Sequence, residues 1–292
     1  MASTIAALLE STTLNKTDAK ALLAHLLDQH LGWPRSTLIS RNQEPLPNEL
    51  LIAWKSLEAQ RAYGVPVAYL TGMKGFHGIE LKVNEAVLIP RPETELLVDL
   101  ALEEMKRIHA NYPNQTIQIL DLGTGSGAIA LAIAYATAAM NKTPVSLNIL
   151  GIDQSSSAIE LARENAKALG LNHLVEFLQS NWYDAIPDQY QTAFDVIVSN
   201  PPYIQKDDPH LQDGDLRFEP KSALTDDEDG LSCIREILKN AHHYLKTGGL
   251  IALEHGYDQA SGVGALMKTH AFHEIGTLAD LAGHLRVTLA RK

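Results

Sequence analysis

With 292 residues, 45% hydrophobic and 20% charged, the chain has the composition of a globular protein able to bury a core without disulfides or structural metals. A single cysteine, Cys233, excludes an intrachain disulfide and fits a reducing compartment. The formal charge of −11 weighs against a protein that mainly grips duplex phosphates, which calls for a basic face.

The first stretch, "MASTIAALLESTTLNKTDAK", has no basic leader before a long apolar core, and Glu10 interrupts it early, so no signal or transit peptide is read there. No apolar run reaches membrane-spanning length, and a cytoplasmic location is expected. Residues 1–72 read as a helical domain. In "TDAKALLAHLLDQH", Thr17 or Asp18 is the expected cap, and Leu22, Leu23, Leu26 and Leu27 form one stripe. "NELLIAWKSLEAQRAYG" repeats the pattern and stops at Gly64, a C-cap residue. Residues 73–90 change period: Ile79, Leu81 and Val83 alternate with polar residues, and Asn84-Glu85 is expected to turn into "AVLI" as a β-hairpin linker.

Residues 91–292 alternate helices with strands that are apolar on both faces, as in a parallel sheet covered on both sides. The expected strands are "IQILDLG", "VSLNILGID", "LVEFLQ", "FDVIVS" and "GLIALEHG", with two more in the tail from Phe272. The acidic run at 225–230, "TDDEDG", reads as a solvated loop capping the next helix.

Gly123, Gly125 and Gly127 follow the first of these strands and precede a helix, where glycines let backbone pass close to a ligand. The spacing is neither a dinucleotide fingerprint nor a P-loop, and Asp121 just before it suits a cationic ligand better than a pyrophosphate. Asp153 ends the second strand, where an acid accepts hydrogen bonds from two ribose hydroxyls; the lesser alternative is a cap-like residue before the helix from Ser155. Asp121, the loop and Asp153 together fit S-adenosylmethionine, with adenine expected near Asn181, Trp182 and Asp184. Trp182 could be core instead.

The run "IVSNPPYI" ends its strand at Asn200, Pro201, Pro202 and Tyr203. In a bland reading this is a turn. In a chemical one, the Asn200 side-chain oxygen and the Pro201 carbonyl accept the N–H bonds of a conjugated NH₂ group. The prolines keep those acceptors preset, and Tyr203 packs on the flat acceptor. Neither Cys233 nor the histidine pair at 242–243 reads as chemical, and the twelve histidines show no zinc spacing. Glu254, at a strand end, could touch a ligand, with a structural role the favoured reading.

"LIPRPETELLVD", "LDLGTGSGAIALA", "IVSNPPYI", "FEPKSALTDDEDGL" and "LIALEHGYDQ" together resemble the release-factor glutamine methyltransferases of the PrmC/HemK type. The resemblance implies a Rossmann-like class I methyltransferase domain, with a seven-stranded mostly parallel sheet, behind a small helical domain and a hairpin linker. It also implies methyl transfer from S-adenosylmethionine, leaving S-adenosylhomocysteine, to the N5 amide nitrogen of the glutamine in a release factor's Gly-Gly-Gln motif. Carried over by position, Asp121, Gly123, Thr124, Gly125, Ser126, Gly127, Asp153, Trp182 and Asn200 would serve the cofactor. Asn200, Pro201, Pro202 and Tyr203 would form the glutamine site, with Asn200, Pro201 and Tyr203 catalytic. Arg91, Glu93 and Glu95 lie in a signature whose chemistry does not follow from sequence; fixing the linker is one role for them. The helical domain would contact the release factor. No metal, membrane or nucleic-acid partner is expected, and a monomer is. A ribosomal-protein glutamine methyltransferase, a DNA or RNA adenine-N6 methyltransferase and a non-catalytic binding module stand as alternatives.

Overall fold

The computed structural model describes residues 3–139, 145–212 and 214–292. The chain divides into two compact units, Met1–Met73 with Gln212–Phe218, and Lys74–Leu211 with Glu219–Lys292.

The first unit contains α1 (Ile5–Ser11), α2 (Lys16–Leu31), α3 (Thr37–Ser40), α4 (Asn48–Tyr63) and α5 (Val67–Thr71). Leu22, Leu23, Leu26 and Leu27 of α2 pack with Ile5, Leu50 and Trp54. Each such fully buried side chain contributes roughly 1.5–3 kcal/mol. The cap of α2 is Asn15, not Thr17 or Asp18: its side-chain oxygen accepts from both of their backbone N–H groups. Lys16, Thr17 and Asp18 therefore form the first turn, where Asp18 also faces the positive helix end. Helix α4 ends as expected at Gly64, in the left-handed region with φ 111°. Arg61 binds Asp18 at 2.6 Å and Asp215 at 2.9 Å, joining Asp215 to the helices.

A hairpin of β1 (Met73–Phe76) and β2 (Ile79–Lys82) follows, all but its first residue in the second unit. Its turn is His77-Gly78, with φ 43° and 83°, rather than Asn84-Glu85. A two-residue hairpin loop of type I′ has positive φ at both central positions, and that pair adopts it. A turn does form at Asn84, closed by Val87 N–H to its carbonyl at 3.2 Å, but no strand follows. The Ile89 N–H instead donates to Glu219 at 3.0 Å.

The remaining elements are α6 (Glu95–Asn111), β3 (Ile117–Leu122), α7 (Ala128–Ala138), β4 (Leu147–Asp153), α8 (Ser156–Leu169), β5 (Val175–Gln179), β6 (Phe194–Ser199), α9 (Ser232–Tyr244), β7 (Leu245–Glu254), α10 (Ala260–Thr269), β8 (His273–Ala279) and β9 (Leu285–Arg291). Helix α10 has no counterpart among the elements expected from sequence. The strands form one seven-stranded sheet in the order β5-β4-β3-β6-β7-β9-β8. Strands β5 to β7 are parallel, whereas β9 runs antiparallel to both neighbours.

Alternate residues of the central strands feed two cores. Ile119, Val196 and Val198 pack with α6, α7 and α8, while Leu120, Leu122 and Ile197 pack with α9 and α10. Burial on both faces explains why these strands are unbroken apolar runs. The strand order reverses between β3 and β6, which makes their carboxyl ends the switch-point crevice where open α/β sheets bind ligands.

Candidate active site

The register fixes what meets at that crevice. Leu122 of β3 is opposite Ser199 of β6, so the next residues, Gly123 and Asn200, leave the sheet side by side. The Ser199 hydroxyl donates to the Leu122 carbonyl at 2.6 Å and holds the two strand ends together. A Cβ at Gly123 would lie 3.9 Å from both the Asn200 carbonyl oxygen and the Trp182 ring, and φ there is +73°. Gly127, at φ +82°, is confined more closely: a Cβ would come within 2.9 Å of Leu131 and 3.0 Å of Phe177. The loop between them is braced by Asn165, which donates to the Ser126 carbonyl at 2.9 Å and accepts from Lys82 N–H at 2.8 Å.

A cavity of about 380 Å³ opens over this loop. It falls within the range of small-molecule pockets, roughly 300–1,000 Å³. Gly123, Thr124, Gly125, Ser126, Asp153, Trp182, Asn200 and Pro202 all line it, so most of the residues singled out in the sequence converge on one volume. Trp182 lines the cavity and also packs against the core under α9. Asn181 lines the cavity too and donates to Asp184 at 3.0 Å.

Other expected residues stand back from it. Gly127 ends the loop as the residue before α7. Asp121 is fully buried behind the loop, where it accepts from the Thr124 hydroxyl at 2.6 Å and Ala130 N–H at 3.3 Å. Burial pushes its carboxyl up to about 7 despite those two hydrogen bonds. Pro201 is buried, and the cavity wall includes neither it nor Tyr203. The Tyr203 hydroxyl donates to Glu254 Oε1 at 3.2 Å, so this ring is held by a carboxylate rather than lying along the cavity. Burial raises the Tyr203 phenol well above its ordinary value.

Asp153 accepts from Ser155 N–H at 2.9 Å and from Gly125 N–H at 3.0 Å, tying the glycine loop to the end of β4. Burial raises its carboxyl, against those backbone hydrogen bonds. Each carboxylate oxygen has a second lone pair and can accept from a ligand hydroxyl as well. The helix from Ser156 is capped by Ser155 itself.

Several contributors escaped the sequence reading. Thr94 lines the cavity and accepts from Asn200 Nδ2 at 3.0 Å. That bond leaves Asn200 Oδ1 buried and without a partner. Glu254 is 1% exposed, and its Oε2 is also buried and unpartnered. Of the signature residues, Arg91 pairs with the buried Glu219, and Glu95 accepts from His77 N–H at 2.8 Å at the hairpin turn. Both contacts secure the hairpin and the segment after it. Asp226, also on the cavity wall, caps α9 through Ser232 N–H at 2.8 Å.

Among the described residues, the cavity wall carries no Lys, Arg or His; its ionisable acids are Asp153, Asp226 and Asp227. Such a wall disfavours phosphates and favours a cation. The buried free acceptor on Asn200, the acidic wall and the open space over Gly125 fit S-adenosylmethionine. No cluster of His, Cys, Asp and Glu among the described residues could hold a metal ion, and none of the described helices is long and apolar enough to cross a membrane.

The sequence pattern of the methyltransferase domain family matches residues 113–284, and that of the PrmC N-terminal domain matches residues 3–72. The release factor glutamine methyltransferase of Burkholderia pseudomallei is 43% identical over 99% of this chain and 96% of its own length. That of Xylella fastidiosa is 43% identical over 100% and 98%, and that of Vibrio cholerae 43% over 94% and 88%. Among solved structures, a methyltransferase from Pyrococcus furiosus superposes with a TM-score of 0.50 at 16% identity, covering 81% of this chain and 98% of that one. The hMettl16 catalytic domain, in complex with MAT2A 3'UTR hairpin 1, superposes with a TM-score of 0.55 at 10% identity, over 93% and 91%. These two likenesses concern the fold. The full-length identities settle the lineage: this chain belongs to the release factor glutamine methyltransferase family.

Proposed function

We propose that this protein transfers a methyl group from S-adenosylmethionine to the side-chain amide nitrogen (N5) of the glutamine in the Gly-Gly-Gln motif of peptide chain release factors. The observation that carries the chemistry is the Asn200 amide, whose Oδ1 is buried and unpartnered beside Gly123 while its Nδ2 is held by Thr94. A buried acceptor without a partner costs about 1–3 kcal/mol, which is recovered when an N–H donor enters.

When bound, S-adenosylmethionine supplies an electrophilic methyl on a sulfonium. Gly123 to Ser126 would hold it against the loop that Gly127 ends, Asp153 would accept from its ribose hydroxyls, and Trp182 would line the adenine side. Asn200 Oδ1 accepts one N–H of the incoming glutamine amide, and we assign the second acceptor to the Pro201 carbonyl. Two acceptors turn the nitrogen lone pair out of conjugation with its carbonyl and toward the methyl. The fixed φ of Pro201 and Pro202 presets this geometry before the substrate arrives. Transfer of the methyl, with its bond to sulfur broken and S-adenosylhomocysteine released, would make the amide N–H acidic, and its proton would pass to water. The helical unit, matched by the PrmC N-terminal pattern, is assigned to the body of the release factor.

An assay with labelled S-adenosylmethionine on a release factor, a ribosomal protein and DNA tests this reading. Label is expected on the release factor and absent once its Gly-Gly-Gln glutamine is changed to alanine. Label that goes to DNA and spares the release factor overturns it.

A further inference from the structure

The Asn-Pro-Pro-Tyr loop leaves the sheet at Asn200, so its resting position depends on what holds its far end, Tyr203. The two prolines between them have fixed φ, and a displacement of Tyr203 is passed back to Asn200 rather than absorbed. Two groups hold that far end. Glu254, the last residue of β7, accepts from the Tyr203 hydroxyl at 3.2 Å. Gln259 donates from Nε2 to the Tyr203 carbonyl at 3.0 Å.

Gln259 grips more than this one carbonyl. Its Nε2 also donates to the Gly230 carbonyl at 3.2 Å, and its Oε1 accepts from Gly256 N–H at 2.8 Å. Its backbone N–H returns to the Gly256 carbonyl at 3.0 Å, at the start of α10. The side chain thus ties three backbone segments together, and turning the amide over would set its oxygen against two carbonyls. The contact with Gly230 is close. A Cβ there would lie 2.6 Å from the Tyr203 carbonyl oxygen and 2.7 Å from Gln259 Nε2, and φ is +81°. Gly230 N–H in turn donates to Asp226 at 3.0 Å, and Asp226 lines the cavity with Asn200 and Pro202. From Ile204 onward the two segments are joined directly, Ile204 N–H to the Leu224 carbonyl at 3.0 Å and Lys206 N–H to that of Glu228 at 3.1 Å. At Tyr203 the link runs through Gln259.

We propose that Gln259 is a positioning residue for methyl transfer: its amide locks the Asn-Pro-Pro-Tyr loop to the acidic segment 225–230 and so fixes where Asn200 and Pro201 present their acceptors. The inference rests on the methyl-transfer reading above. It adds a residue that stands outside the cavity wall and acts through the backbone of Tyr203.

The test uses the full chain with Gln259→Glu, Gln259→Met and Gly230→Ala, each assayed below its melting midpoint. Gln259→Glu keeps the shape and the acceptor for Gly256 N–H but loses both donors. It should lower kcat about tenfold, as one or two lost hydrogen bonds would, while S-adenosylhomocysteine affinity and KM for the release factor stay within about twofold. Gln259→Met should behave alike. Gly230→Ala drives Tyr203 and Gln259 apart and should also lower kcat. Combined with Gln259→Glu it should fall no more than about twofold below the worse single variant, because both break one contact. The Asn200 side-chain amide resonance, recorded with S-adenosylhomocysteine and no release factor, should shift or broaden in each variant. A Gln259→Glu protein within about twofold of normal kcat overturns the proposal, as do losses that multiply in the double variant. So does a kcat that falls in step with S-adenosylhomocysteine affinity, or an Asn200 resonance that stays in place. If Gln259→Glu does not fold, Gln259→Met decides by the same criteria, and Gly230→Ala if neither folds. Failure of the functional reading is separate: the unaltered protein would leave the release factor unlabelled, whereas the Asn200 resonance reports the position of the loop whatever the acceptor.

Discussion

Asn200 is where two requirements meet that no other residue of the cavity satisfies together. Its oxygen must stay free of internal partners, and its side chain must still be held in one place. The structure achieves both by anchoring the nitrogen to Thr94 and leaving Oδ1 bare. Replacing Asn200 by Ala should reduce methyl transfer on the order of 10²–10³-fold, the loss typical of one preorganised polar group at a reacting centre. The melting midpoint should stay within a few degrees of the unaltered protein, and a variant with near-normal turnover would remove Asn200 from the chemistry. Asp153 makes a different kind of contribution, since its carboxylate holds Gly125 N–H and Ser155 N–H whether or not a ligand is bound. Asp153→Ala should weaken S-adenosylhomocysteine binding by about tenfold or more, as expected for lost hydrogen bonds to a charged group. Calorimetric titration measures this directly, and unchanged affinity would assign Asp153 to capping alone.

Among the elements, the site follows from the β3–β6 register, and that register follows from unbroken apolar runs. Those runs made the sheet legible in the sequence: β3, β4, β6 and the second half of β7 are near-continuous buried runs that a two-sided core explains. Legibility failed where local pattern and local geometry part. Asn84-Glu85 has the better turn composition, yet the hairpin turns at His77-Gly78 because positive φ is taken up there. Helix α10 went unseen because "ASGVGALMKT" carries two glycines, each about 1 kcal/mol worse than alanine in a helix. Packing of Val263 and Met267 into the core offsets that cost. Thr94 and Asn200 could not be paired from sequence at all, since 106 positions separate them and the fold brings them together. Gly127 was legible, and its reason is now steric as well as conformational. Gly127→Val should collide with Leu131 and Phe177 and force a left-handed backbone on a β-branched residue. Cofactor binding and thermal stability should fall together; retention of both would show that the loop can relax.

On the scale of the whole second unit, the last strand is tied to the first helix by charge. Glu104 of α6 is 5% exposed and accepts from Arg107 at 2.6 Å and from Arg291 of β9 at 2.9 Å. Burial alone would raise its carboxyl, but the two arginines outweigh that and bring it down to about 2. A depressed acid contributes stability that is present above its unfolded value of 4.5 and is lost as pH falls through about 2. The shift corresponds to on the order of 3 kcal/mol, similar to what breaking a buried pair costs by leaving its partner uncompensated. Glu104→Ala should therefore unfold at lower denaturant near neutral pH, by about 3 kcal/mol, with Arg291 left to the exposed Glu274. The difference from the unaltered protein should narrow as pH drops below 4.5 and nearly close by about 2, because the unaltered protein then loses the same ion pairs. Denaturant titrations at several pH values check this. A gap that stays constant down to acid would mean that Glu104 acts by filling space, and that β9 is held to α6 by packing rather than by charge.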